Sequence, residues 1–261
     1  EKQSIYMWRG AYPEAFMSIW TRGDFSKKVM TDNYRSCQQI QNYSNLLCDE
    51  TRSLYKEVND LSSVVMLCTT TANWVSAVVP YLDKKKRCAL LRYSNANSEI
   101  GAKELTEKGV EFTYVPQTPI SDTTEAAWLY NAIAKHFILP TYSAYDLRDE
   151  NPNEVVGNKH ILQTIKNSLK HLDEYLKQAD KDSFAQEVEQ LANSLGYSTK
   201  DEHCKKVYET ICDKKFHPAF NIDGLQRIAI TFHSSKGLEF DQVVLFTSDY
   251  RLATEQDICN H

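Results

Sequence analysis

The sequence has no run of the roughly 18–20 apolar residues that would span a bilayer as a helix, and nothing in it reads as a signal peptide. It has no excess of positive charge. The formal net charge is −5 over 261 residues, so bulk electrostatics announce no nucleic-acid partner, and any such site must be a local patch. There is no C-x-x-C pair. The seven cysteines (Cys37, Cys48, Cys68, Cys88, Cys204, Cys212 and Cys259) are odd in number, and several lie in apolar runs. That usage argues against a disulfide framework and for free thiols in a reducing compartment, which makes the cytoplasm the expected location. His203, Cys204, Cys212 and His217 are too loosely spaced for a zinc site, whose ligands come in tighter pairs. They are expected to ride on a helix as incidental residues, and no metal ligand is assigned. No internal repeat or low-complexity tract is present. The phosphate-cradling loop G-x-x-x-x-G-K-[ST] is also missing.

What remains is a globular composition, 42% hydrophobic and 25% charged, which excludes a disordered chain. Leu61 to Cys68 reads as a buried strand, Val64 to Leu67 being a continuous apolar run, and 88–93 and 110–115 read as further strands. Between and after them lie helical patterns. One follows Asn33, with Ile40, Tyr43, Leu47 and Leu54 near one face. Another carries Trp74, Val75, Val78, Val79 and Leu82. A third spans Glu99 to Lys108 and is closed by Gly109, and a fourth spans Thr124 to Ile138. This alternation predicts an α/β fold built on a parallel sheet. From 141 to 222 strand signals vanish. Ile161, Ile165, Leu169, Leu172 and Leu176 recur at helical spacing, as do Phe184, Val188, Leu191 and Leu195 before Gly196. An all-helical insertion is expected there, with the sheet resuming at Arg227.

The densest polar chemistry lies between two strand-like runs, Ile228 to Thr231 and Val243 to Leu245. The loop His233-Ser234-Ser235-Lys236-Gly237-Leu238-Glu239-Phe240 brings an imidazole, two hydroxyls, an ammonium and a carboxylate together. Thr231, His233 and Ser235 can donate to phosphates, and Glu239 can accept from ribose hydroxyls. Gly237 allows close backbone approach. The competing reading is a plain connection with a solvated Lys and Glu. Near the start, Gln3 offers an amide to a phosphate oxygen or an attacking water. Tyr6 and Trp8 flank Arg9 as stacking platforms for bases, or else are core aromatics. Tyr34 and Arg35 pair a π-face with a guanidinium suited to a γ-phosphate, or Arg35 is a solvated surface residue.

Three segments in order resemble superfamily 1A helicases of the UvrD/Rep/PcrA type. Gln3-Ser4-Ile5-Tyr6-Met7-Trp8-Arg9-Gly10-Ala11 looks like motif III and Asn33-Tyr34-Arg35-Ser36 like motif IV. Thr231 to Phe240 looks like motif V. Ala89-Leu90-Leu91-Arg92-Tyr93-Ser94-Asn95 resembles the strand called motif IVa. The resemblance covers the chain outside the helical insertion. It implies a RecA-like, P-loop-NTPase-type lobe 2A with an inserted helical subdomain 2B. Residues 1–25 would close lobe 1A, 26–140 would open lobe 2A, 141–222 would form the insertion, and 223–261 would return to 2A. It further implies ATP and Mg2+ as cofactors. Gln3 would couple nucleotide state to DNA, and Arg35 would act as an arginine finger. Tyr34 would stack on adenine, and Glu239 would bind ribose with Gly237 beside it. DNA contacts would come from Tyr6, Trp8, Arg9, Thr231, His233 and Ser235. The family's Walker A loop, acidic Mg2+ motif and Arg-rich sixth motif have no counterpart here. The sequence is therefore expected to be a piece of a longer polypeptide and inactive alone.

Within the superfamily the whole chain most resembles the helicase-like B subunits of Gabija anti-phage systems. The segments that carry this are Gln41 to Leu46, Glu50 to Leu54, Pro116 to Pro119 and Thr247 to Tyr250. That resemblance implies an ATP-dependent DNA helicase or translocase that senses ends or single strands and works with a nuclease partner, the A subunit. A free-standing repair helicase and an ATPase-inactive DNA-binding scaffold are the alternatives.

Overall fold

A computed structural model describes residues 14–26, 32–46, 54–57, 63–152 and 159–249. The chain forms two compact units, one of residues 1–81 with 246–261 and one running from Leu82 to Leu245.

The second unit contains a four-stranded, all-parallel sheet. Cys88–Arg92 (β1) is flanked on one side by Arg227–Thr231 (β3) and on the other by Gln242–Leu245 (β4), with Thr113–Tyr114 (β2) beyond β3. Leu90 pairs with Ala229 and with Val244. Strands covered on both faces are written as unbroken apolar runs. Accordingly Cys88, Ala89 and Leu90 are fully buried, as are Ile228, Ala229 and Ile230. The strand expected over 110–115 is shorter than its apolar run. The Val115 N–H still donates to the Ala229 carbonyl at 2.9 Å, and Pro116 then removes the next donor.

Between β1 and β2 lies Asn95–Glu107 (α4), which starts before the predicted 99 because Ser94 caps it, accepting from the Asn97 N–H at 3.1 Å. It stops at Gly109, whose φ is +81°, with Val110 N–H returning to the Leu105 carbonyl at 3.0 Å. Gly101 lets α4 approach the sheet closely, since a Cβ there would lie 2.6 Å from Leu90 Cδ2.

The rest of the unit is helical. Ala127–Ile138 (α5), Ala144–Asp149 (α6), Lys159–Gln178 (α7), Lys181–Ser194 (α8) and Asp201–Cys212 (α9) bury one core. The expected stripes supply it: Ile165, Leu169 and Leu172 from α7, and Phe184, Val188 and Leu191 from α8. Leu129, Tyr130 and Ile133 of α5 join them, so this core reaches N-terminal of residue 141. Each such side chain contributes roughly 1.5–3 kcal/mol of burial. Gly196, with φ +84°, ends α8 as predicted. The sheet with its helical insertion is thus the expected α/β, RecA-like architecture. Among the described residues no helix is long and apolar enough to cross a membrane.

In the first unit, Glu14–Trp20 (α1), Gln38–Leu46 (α2) and Trp74–Val78 (α3) are helical. Trp74, Val75 and Val78 are buried as expected, with Trp74 edge-on to Phe246 at 4.8 Å. Two expectations fail. Residues 63–68 of the run expected as a buried strand form no strand, and Val65 and Met66 are exposed. The backbone N–H groups of Ser63 and Val64 go instead to the Gln39 Oε1 atom, at 2.7 and 3.2 Å, and no ladder forms. On α2, Ile40 and Tyr43 are exposed, while polar Asn42 is buried. The Asn42 amide holds both backbone groups of Lys56, a directional demand that hydrophobic spacing does not reveal.

One polar tie joins the starts of α5 and α9. The Glu125 carboxylate receives Lys200 Nζ and His203 Nδ1, both at 2.9 Å, while His203 Nε2 lies 3.4 Å from Glu202. Lys200, and then backbone and His203 hydrogen bonds, pull the Glu125 pKa from 4.5 to about 2. A depressed carboxylate pKa stabilises the fold above the ordinary value, and that stability is lost as pH falls towards the folded value. Glu125→Gln should therefore lower the melting temperature at neutral pH. The gap to the wild-type protein should close between pH 4.5 and about 2, read by thermal melts across that range.

Candidate nucleotide and strand site

The chain leaves β3 at Thr231, at the C-terminal end of the sheet, where open α/β sheets present ligands. Because β4 is parallel to β3, the connection must run back along the whole sheet before β4 can begin. Residues 232–241 make that crossing without an α-helix. Its two ends therefore face different places. Thr231, His233 and Ser235 gather at the upper end, and Glu239 stands near the start of β4.

The upper end is a hydrogen-bonded turn. Phe232 N–H extends the ladder to the Arg92 carbonyl at 3.1 Å. The Thr231 hydroxyl accepts from the Ser234 N–H at 3.2 Å and donates to Ser234 Oγ at 2.9 Å. Ser235 N–H reaches the Thr231 carbonyl at 3.0 Å, and the Ser235 hydroxyl donates to the Phe232 carbonyl at 2.8 Å. Thr231 is buried. A hydroxyl has one proton, so those of Thr231 and Ser235 are committed within the turn. Ser234, exposed and accepting from Thr231, keeps its proton to offer outward. The sequence reading named Thr231 and Ser235 and passed over Ser234; the Thr-x-x-Ser spacing of a hydroxyl-capped turn was the available signal.

His233 is half-buried, 4.1 Å from the Phe232 ring and edge-on to Tyr93 at 5.9 Å. Tyr93 follows β1 and is 52% exposed, which leaves an aromatic face beside the imidazole. Gly237 has φ +89°, and a Cβ there would meet nothing within 4 Å. The left-handed backbone favours glycine here, and no protein atom crowds the position.

The lower end is held by Arg87. Its guanidinium donates to the carbonyls of Ile222 (2.9 Å), Glu239 (3.0 Å) and Leu225 (3.4 Å), and stacks on Phe240 at 4.9 Å. The Arg87 N–H meets Asp241 Oδ2 at 2.8 Å. Glu239 itself is exposed. In the sequence Arg87 is the last of four consecutive cations, Lys84 to Arg87, and no local pattern marks it, because its partners lie far along the chain.

In the first unit, Tyr34 and Arg35 sit on a turn made by Asn33, whose Oδ1 accepts from the N–H of Arg35 (2.9 Å) and of Ser36 (3.2 Å). Gln41 of α2 braces it by donating to the carbonyls of Asn33 and Ser36. Tyr34 is 94% exposed and Arg35 is exposed. The turn thus presents a free aromatic face next to a guanidinium. Gln3, Tyr6, Trp8 and Arg9 lie outside the described residues.

The loosely spaced His and Cys residues have other occupations. His203 faces Glu125, His217 Nε2 pairs with the Ile211 carbonyl at 2.9 Å, and Cys204 is buried. Among the described residues no group of three or more His, Cys, Asp or Glu is arranged to hold a metal.

Over its full length the chain is 35% identical, across 270 aligned residues, to the Gabija protein GajB of Bacillus cereus (strain VD045). The chain is a relative of GajB. It spans 53% of GajB's length. No family model matches it. The kinship with GajB covers both units, including the Asn33 turn and the loop after β3.

Replacing Gly237 by Ala should destabilise the protein by about 1–2 kcal/mol, since only the backbone conformation is opposed. Gly237→Asn should recover part of that loss, because Asn visits the left-handed region more readily. Denaturant titration of the three proteins checks the order.

Proposed function

We propose that this chain supplies the second motor lobe and helical module of an ATP-driven, superfamily 1A helicase-like protein in anti-phage defence. The observation that carries this is the loop after β3, with strand-facing groups at its upper end and Glu239 at its lower end. The kinship to GajB supports the defence setting, and the motif order supports the motor.

Taken one by one, the side chains suit the separate parts of a nucleoside triphosphate. Tyr34 offers an exposed ring for adenine. Arg35 offers a permanently charged, bidentate donor for the γ-phosphate, and Glu239 offers an acceptor for ribose hydroxyls. Bound ATP would supply the free energy of the cycle, and Mg2+ would be held by acidic residues that this sequence does not contain. Arg35 would neutralise charge developing on the transferred phosphoryl group. The turn built by Thr231 would aim Ser234 and His233 at phosphates of a DNA strand, contacts that carry affinity without sequence preference. Ser235 would act there through its bond to Phe232. Tyr6, Trp8 and Arg9 would stack bases and grip the backbone, and Gln3 would relay nucleotide state to them. A rigid crossover touching ribose at one end and strand at the other converts lobe closure into displacement along the strand. Acting at DNA ends or single strands, this output would license a partner nuclease of the Gabija A type.

In the complete protein, Arg35→Ala should lower ATPase kcat by about 10³-fold or more without changing the melting temperature. Wild-type turnover by that variant would sink the finger assignment. Trp8→Ala should weaken single-strand binding by roughly 1–3 kcal/mol, read by fluorescence anisotropy, and unchanged affinity would make Trp8 a core residue. Native co-purification should return a stoichiometric nuclease. Strand displacement by the purified protein alone would favour a free-standing repair helicase instead.

A further inference from the structure

Arg87 lies outside every motif, yet it is the most heavily engaged side chain near the lower end of the loop. Its guanidinium satisfies three main-chain carbonyls from two separate stretches. Ile222 and Leu225 belong to the return from the helical body, and Glu239 to the loop. Phe240 covers one face of the group at 4.9 Å, and exposed Asp223 approaches it at 3.5 Å. The side chain is only 23% exposed, so these bonds form largely out of water, where charge-assisted contacts are strongest. The backbone of Arg87 is tied as well. Its N–H meets Asp241 Oδ2 at 2.8 Å, and its carbonyl receives the N–H of Asp241 (3.0 Å) and of Gln242 (3.1 Å). One residue at the start of β1 therefore fixes the lower end of the crossover against the sheet and against the exit of the helical body.

The carbonyl that Arg87 grips belongs to Glu239, the residue read as the ribose acceptor. A planar guanidinium with fixed donor directions can meet carbonyls from two stretches at once, which a lysine ammonium on a flexible stem does not reproduce. We propose that Arg87 is the positioning residue for Glu239. It holds that backbone at a set distance from the Ile222–Leu225 return, so that selectivity for the nucleotide's ribose depends on Arg87 although it touches no nucleotide. This rests on the reading of Glu239 as the ribose-binding group.

The test is steady-state ATPase of the complete protein with ATP and with its 2′-deoxy and 3′-deoxy analogues, for wild type, Glu239→Ala and Arg87→Lys. Glu239→Ala removes the acceptor, which an amide would keep, and should erase the preference for ATP over at least one of the two analogues. Arg87→Lys should erase the same preference, raising KM for ATP by about tenfold, the worth of one charge-assisted hydrogen bond, with KM for that analogue little moved. A merely structural role would lower the active fraction, and hence kcat, equally for all three nucleotides. If Glu239→Ala erases the preference and Arg87→Lys keeps it, the positioning role is overturned and the ribose reading stands. If Glu239→Ala keeps the preference, the ribose reading fails and the positioning role falls with it. Should Arg87→Lys not fold, Phe240→Leu removes the ring behind the guanidinium and is expected to reduce the same preference. Full retention in that variant overturns the proposal.

Discussion

All four strands of the sheet run the same way, and the rest of the Leu82–Leu245 unit is arranged around that fact. Parallel neighbours cannot be joined by a tight turn, so each connection must travel the length of the sheet before the next strand starts. Between β1 and β2 the traveller is α4. Between β2 and β3 it is the helical body. Between β3 and β4 it is a bare polar loop, and a loop without a helix must satisfy its backbone by other means. The Thr231 turn does this at the upper end and Arg87 at the lower. The polar density that marks the segment in the sequence has two parts, one spent on internal bracing and the other left exposed.

Those two parts sort the side chains. Thr231 and Ser235 spend their hydroxyl protons within the turn, so their part is to hold shape. Ser234, His233 and Tyr93 stand where something outside the chain can meet them. The same division holds at the Asn33 turn, where Asn33 and Gln41 brace and Tyr34 and Arg35 are displayed. In both places a short polar residue caps the backbone, and a neighbouring side chain (Ser234 in one, Tyr34 and Arg35 in the other) faces solvent.

What was legible in the sequence was what local periodicity encodes. The β1 and β3 runs, the stripes of α7 and α8, and the Gly109 and Gly196 stops all follow from spacing over a few residues. The loop after β3 was legible because its residue types are unusual together. Features set by distant partners were not. Val64 to Leu67 has strand composition, but Gln39 takes its first backbone donors and no ladder forms. The inward face of α2 is chosen by the Asn42 amide against its hydrophobic pattern. Arg87 looks like one of four consecutive cations, and only the folded chain separates it from the solvated Lys84, Lys85 and Lys86.

The placement of the helical body has a mechanical meaning. β2 and β3 are neighbours in the sheet, with Tyr114 opposite Ala229, so the body leaves and re-enters at adjacent strands. It is an overgrown crossover. Its size is geometrically independent of the sheet, because only its two roots need to stay in place. Helices could be added or removed there without shifting a single strand register. The body's exit root, at Ile222 to Leu225, is tied by Arg87 to the same end of the sheet as the loop. The body can differ in size while its root keeps one fixed address on the sheet.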